Sequence, residues 1–143
     1  MSEEAATEVM ALVVLVGHGG FPQGVLDGAE LIMGSQQGLH AVGLRPEQDP
    51  GEVVEAVREL QAAAAGDPPL LLLVDLFGGS PGNATASLLQ EPGVEMVTGL
   101  NLPMTLEVLN RRRKAGADVA ALASYAVAAG TAGVVDVGAK LRS

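Results

Sequence analysis

Two histidines, no cysteine and one tyrosine leave few groups among the 143 residues able to serve as nucleophile, base or metal ligand. One histidine stands in Gly17-His18-Gly19-Gly20, directly after the apolar run Leu12–Val16. A carboxylate, Asp75, closes a second apolar run, Leu70–Val74, and opens Leu76-Phe77-Gly78-Gly79-Ser80-Pro81. A carboxylate that holds one imidazole nitrogen fixes the tautomer and leaves the other nitrogen's lone pair as a nucleophile. The Gly78-Gly79-Ser80 turn, at a helix start, offers unpaired backbone N–H groups to an anion, with the Ser80 hydroxyl beside them. Together these groups suit acceptance of a phosphoryl group, whose charge such donors stabilise in transit. Glycines around His18 also leave room for another protein's backbone or active-site residue.

Each of these residues has a purely structural reading as well. His18 alone reads as a loop or capping histidine, Asp75 as a cap of its glycine turn, and Ser80 as a helix N-cap, a role it is expected to fill in any case. Two glycine-rich loops at adjacent strand ends favour the chemical reading, because glycine there implies close backbone approach to something. His40, inside LHAVGL, has no identifiable partner and is read as structural. Arg111–Lys114 is read as a solvated helix end, with a partner interface as its alternative.

The elements that must position this chemistry follow from apolar periodicity. Short apolar runs at Leu12–Val16, Leu39–Leu44, Leu70–Val74, Val94–Thr98 and, more weakly, Val134–Val137 read as strands. Helix-like segments lie between them. Phe21–Pro22 opens one with Val25, Leu26, Ala29, Ile32 and Met33 on one side and Gly34 at its end. Asp49-Pro50-Gly51-Glu52 is a capping-box pattern before Val53, Val54, Val57 and Leu60. Ser80-Pro81 repeats the cap-then-proline signal. A further helix is expected from about Pro103 to the basic end Arg111–Lys114, and Asp118 caps an Ala-rich one ended by Gly130. Strand–helix alternation predicts one α/β domain over residues 1–143, with a parallel sheet, helices on both faces and a flexible stretch at residues 1–10. In such sheets ligands bind at the carboxyl ends of the strands, where strand order reverses. A sheet of order 2-1-3-4 brings His18 and Asp75 together at that point.

Composition excludes several alternatives. Eight Lys+Arg against 17 Asp+Glu give a net charge of −9, which argues against a nucleic-acid partner. No apolar run approaches the ~18 residues of a membrane span, and the acidic start MSEEAATEVM is no secretory signal, so a cytoplasmic protein is expected. A dinucleotide fingerprint fails because Pro22 stands at the position of its last glycine. A receiver domain needs an acidic pair where Gly17-His18 stands. A metal hydrolase needs three or more ligands, so no metal or cofactor is expected. A Ser–His–Asp hydrolase lacks its G-x-S-x-G elbow.

Three segments, VGHGGFPQGVLDGAELIMG, LLLVDLFGGSPGNAT and GLNLPMTLEVL, together resemble the mannose-family IIA component of the bacterial phosphoenolpyruvate-dependent sugar phosphotransferase system. The resemblance runs from about Ala11 through the Ala-rich helix, nearly the whole chain. It implies a parallel sheet of order 2-1-3-4 and makes Val134–Val137 an added C-terminal edge strand, of the kind exchanged between subunits of a homodimer. It implies that His18 takes a phosphoryl group from the phosphocarrier HPr and passes it to a IIB component, here a separate chain. On this likeness Asp75 orients His18, and Ser80, with Gly78 and Gly79, lies near the phosphoryl oxygens. The membrane is then reached only indirectly, through the transporter complex. Leu76 and Phe77 depart from the Thr and Trp that some members carry after the aspartate, and Gly20-Phe21 stand where a tryptophan can occur. Two other readings share the histidine: the phosphoryl-donor subunit of a dihydroxyacetone kinase, and a regulatory phosphoprotein outside transport.

Overall fold

A computed structural model describes residues 10–114 and 118–143. All but the last residue of the N-terminal stretch expected to be flexible therefore lies outside the described residues. Four parallel strands, β1 (Leu12–His18), β2 (Leu39–Leu44), β3 (Leu70–Val74) and β4 (Val94–Thr98), form one sheet in the order β2-β1-β3-β4. The two central strands, β1 and β3, read as almost unbroken aliphatic runs because both of their faces are covered. Leu12, Val14, Val16, Leu70, Leu72 and Val74 line one core, while Val13, Leu15, Leu71 and Leu73 line the other.

Helices α1 (Phe21–Met33), α2 (Pro50–Ala63) and α3 (Ser80–Thr85) follow the first three strands, and a 3₁₀ turn (Ala86–Gln90) continues α3. Beyond β4 come α4 (Leu102–Arg112), α5 (Val119–Ala132) and α6 (Val137–Arg142). Ala29 of α1, Met104, Val108 and Leu109 of α4, and Leu122 and Ala126 of α5 cover one face of the sheet. Val53 and Val57 of α2, with Leu88 of the 3₁₀ turn, cover the other. The expected α/β architecture, strand order and two-sided helix cover are therefore present.

The start signals are real where the side chain caps. Asp49 Oδ1 accepts from Gly51 N at 3.2 Å, and Glu52 Oε2 accepts from Asp49 N at 3.1 Å, closing the capping box of α2. Asp118 caps α5 through Ala121 N at 3.2 Å. Ser80 does not cap α3. Gly79 holds that position without a side-chain bond, and Ser80 is the first helical residue. A Cβ at residue 79 would stand 3.0 Å from the His18 ring, so a larger residue there would crowd the imidazole.

The fourth predicted helix starts at Leu102, as a start about Pro103 anticipates, and Asn101 caps it: Oδ1 accepts from Met104 N at 3.0 Å while Nδ2 donates to the Gly130 carbonyl at 3.0 Å. Two further expectations are corrected. Gly130 is consequently a packing position inside α5, not its end: a Cβ there would lie 2.6 Å from Met104 Cε. Val134–Val137 is no strand of this sheet. Val134 to Asp136 run outside it, and Asp136 Oδ1 accepts from Ala139 N at 3.0 Å to start α6, so the local cap overrides the β-branched run.

The basic end of α4 is not uniformly solvated. Arg111 lies over the Tyr125 ring at 4.2 Å and pairs with Glu107 at 3.1 Å. Arg112 is 1% exposed, and it donates to the carbonyls of Ala11 at 3.0 Å, Gly38 at 2.9 Å and Gln37. Burial, with the charge of Arg113 alongside, lowers its pKa to about 10, so it remains a cation at neutral pH. His40 sits mid-strand in β2, half-buried. No helix among the described residues is long and apolar enough to cross a membrane.

Candidate functional site

The strand ends of β1 and β3 bring the two predicted groups together. His18 is the last residue of β1, and Asp75 follows β3, its N–H donating to the Val16 carbonyl at 3.0 Å. That bond sets Asp75 level with Gly17. Asp75 Oδ2 accepts from His18 N at 3.0 Å and faces His18 Nδ1 at 2.7 Å. A carboxylate oxygen accepts, so Nδ1 carries the proton and Nε2 keeps its lone pair. The other carboxylate oxygen is buried and accepts no bond from the described residues, so among them the Asp75 carboxylate bonds His18 alone.

Exposure separates the roles of the two groups. The His18 side chain is 50% exposed, whereas that of Asp75 is 12% exposed. The carboxylate is thus a fixed buried support and the imidazole a group presented to solvent. Gly17 makes the contact possible: a Cβ there would lie 2.8 Å from Asp75 Cγ and Oδ2, so any side chain would push the carboxylate away.

The glycine turn runs beside the free nitrogen. A Cβ on Gly79 would come 3.0 Å from His18 Cε1 and 3.6 Å from Nε2. Gly78 turns the chain in the left-handed region, φ +89°, and its carbonyl accepts from Asn83 Nδ2 at 3.2 Å. Ser80 is exposed at the head of α3. His18, Asp75 and Gly79 are therefore assembled at one spot, with Gly78 and Ser80 flanking Gly79 in the chain. Leu76 and Phe77, between Asp75 and the turn, are exposed, Phe77 at 86%. His40 is not part of this site: its register partner is Val14, in the middle of β1. The sequence suggested that the glycines around His18 leave room for a partner, whereas the space at Gly17 is taken by Asp75, a need that appears only when Asp75 folds across it.

Fold and site define a class: open parallel α/β proteins with a single carboxylate-held histidine presented at the switch point between the first and third strands. Within that class, the chain belongs to the family described as the PTS system fructose IIA component, whose profile matches residues 12–124. It is 38% identical over 108 residues to the fructose-specific EIIA component of Bacillus subtilis, covering 72% of this chain and 71% of that one. It is 31% identical over 101 residues to the sorbose-specific EIIA component of Lacticaseibacillus casei, covering 67% and 70%. The crystal structure of a phosphotransferase system EIIA component from Streptococcus agalactiae superposes with a TM-score of 0.82 at 27% identity, over 91% of this chain and 99% of that one. The resemblance to mannose-family IIA components, a class of phosphotransfer proteins in sugar uptake, is borne out.

Proposed function

We propose that this protein is a phosphohistidine relay that accepts a phosphoryl group on His18 from HPr and passes it to a IIB component. The observation that carries this reading is the 2.7 Å contact between His18 Nδ1 and Asp75 on a half-exposed ring, which leaves Nε2 as the free nucleophile. In the forward step the Nε2 lone pair forms a bond to phosphorus, and the phosphorus–nitrogen bond to the donor histidine breaks with its electron pair going to that imidazole. His18 then carries positive charge shared with its Nδ1–H, and the Asp75 carboxylate stabilises it. The second step reverses these roles toward the acceptor histidine of the partner, and His18 regains its lone pair.

Gly78, Gly79 and Ser80 are assigned to the phosphoryl oxygens. The close pass of Gly79 beside Nε2 supports this, since backbone N–H groups at the start of α3 then flank the incoming group. Donor and acceptor both supply the chemistry from protein side chains, so the step requires no metal or cofactor. The exposed Leu76 and Phe77 beside the site suit contact with protein partners. The protein works in the cytoplasm on this reading, as a homodimer, which the exposed apolar side chains of Val134, Val135, Val137 and Leu141 support.

Incubation with phosphoenolpyruvate, enzyme I and HPr tests the proposal. Wild type takes up an acid-labile label that a mannose-type IIB component removes, and His18→Ala takes up none. Equal labelling of His18→Ala overturns the reading, and transfer only to a dihydroxyacetone kinase subunit replaces it.

A further inference from the structure

We infer that Gly43, on the strand beside that of His18, is a positioning residue for the histidine. Gly43 of β2 is the register partner of Gly17 of β1. Strand alternation puts both on the face of Leu15 and Ala41, the face that α1 covers. On that face two groups cross the sheet where these glycines leave it bare. The Asp75 carboxylate lies over Gly17, and the Gly19 carbonyl lies over Gly43. A Cβ built at Gly43 would stand 1.9 Å from the Gly19 carbonyl oxygen and 3.0 Å from its carbon.

That obstacle is backbone, so no rotamer change relieves it. Gly43 is also outside the left-handed region, where the positive-φ glycines of this chain lie, so its own conformation tolerates alanine and only space forbids it. The loop is seated on β2 at both ends of the Gly19 residue: its N–H donates to the Leu44 carbonyl at 2.8 Å, and its carbonyl occupies the space over Gly43. Gly19 adjoins His18 and turns at φ +54°. Displacing its carbonyl therefore rotates the Gly19–Gly20 peptide, and because the Gly19 N–H stays bonded to Leu44 the change is taken up at Gly19 and passes to His18, moving the imidazole relative to Asp75. The rate effect rests on the proposed role of His18, whereas the geometric effect does not.

Gly43→Ala tests the inference, with Ala41→Gly as the control for lost stability two residues earlier on the same face. The expected Gly43→Ala protein keeps its circular dichroism spectrum, but its His18 ring ¹⁵N shifts move from the single Nδ1–H tautomer toward a mixture. A misplacement of about 1 Å slows a positioned reaction by roughly 10- to 100-fold, so phosphoryl acceptance at saturating phospho-HPr should fall by that factor with KM little changed. Ala41→Gly should melt lower yet keep the wild-type ring shifts. A folded Gly43→Ala protein with wild-type ring shifts and rate overturns the inference. If Gly43→Ala fails to fold, amide exchange in wild type decides: a Gly19 N–H protected by about 100-fold or more supports the seated loop, and exchange at the open-chain rate overturns it. Wild type that takes no label from HPr ends the relay reading, while the ring shifts and amide exchange still decide what Gly43 does.

Discussion

The chemistry proposed for this protein rests on one imidazole whose orientation is set by one carboxylate. Because Asp75 binds both the backbone N–H and the Nδ1 of His18, it fixes the ring's position and its tautomer together. Asp75→Asn keeps an acceptor but loses the charge that balances the phosphorylated ring. Misplacing a reacting group by about 1 Å costs up to about 100-fold, so the variant should melt near wild type and accept the phosphoryl group about 10- to 100-fold more slowly. Rapid-quench labelling measures this, and an unchanged rate removes Asp75 from the mechanism. His18 and Asp75 were legible in the sequence because each terminates an apolar run and a glycine-rich loop follows each. The roles of Gly17 and Gly43 were not, because a bare Cα acquires meaning only from what folds across it: Asp75, 58 residues on, in one case and the backreaching Gly19 carbonyl in the other.

Elements were legible in proportion to how local their signals are. The capping box at Asp49 and the cap at Asp118 are contained within three residues, and both form as read. The C-terminal run failed because Val134, Val135 and Val137 favour a strand only if a sheet edge receives them, while Asp136 caps α6 without any partner. Arg112 failed for the opposite reason: its partners Ala11, Gln37 and Gly38 lie 101, 75 and 74 residues away. Its guanidinium ties the end of α4 to the start of β1 and the turn before β2. Arg112→Met leaves the buried Ala11 carbonyl without that donor and should cost about 1–3 kcal/mol in urea unfolding. Burial favours the neutral form, so the folded chain releases this proton near pH 10, earlier than the unfolded chain does. Its contribution is constant below that point and grows only as pH rises through it, so the difference between variant and wild type should be flat from about pH 5 to about pH 9. A difference that varies across that range contradicts this account of Arg112.

At the scale of the whole molecule, a two-sided aliphatic core carries a site that is almost entirely surface. Neither β1 nor β3 contributes a polar side chain until its end, so the sheet acts as a rigid mount and the chemistry is confined to its carboxyl edge. Phe77, 86% exposed in the single chain and two residues from Asp75, is on the relay reading a side chain available to the phosphoryl donor. Phe77→Ser should leave the unfolding free energy within about 0.5 kcal/mol of wild type, as exposed substitutions do. It should raise KM for phospho-HPr several-fold with kcat little changed; an unaltered KM places the donor elsewhere on the surface. The most direct test of the relay is the atom that is phosphorylated. With phosphoenolpyruvate, enzyme I and HPr present, ³¹P–¹⁵N correlation on ring-labelled protein should show phosphorus bonded to His18 Nε2, with Nδ1 still protonated toward Asp75. Phosphorus on Nδ1, on His40 or nowhere on the chain contradicts the account.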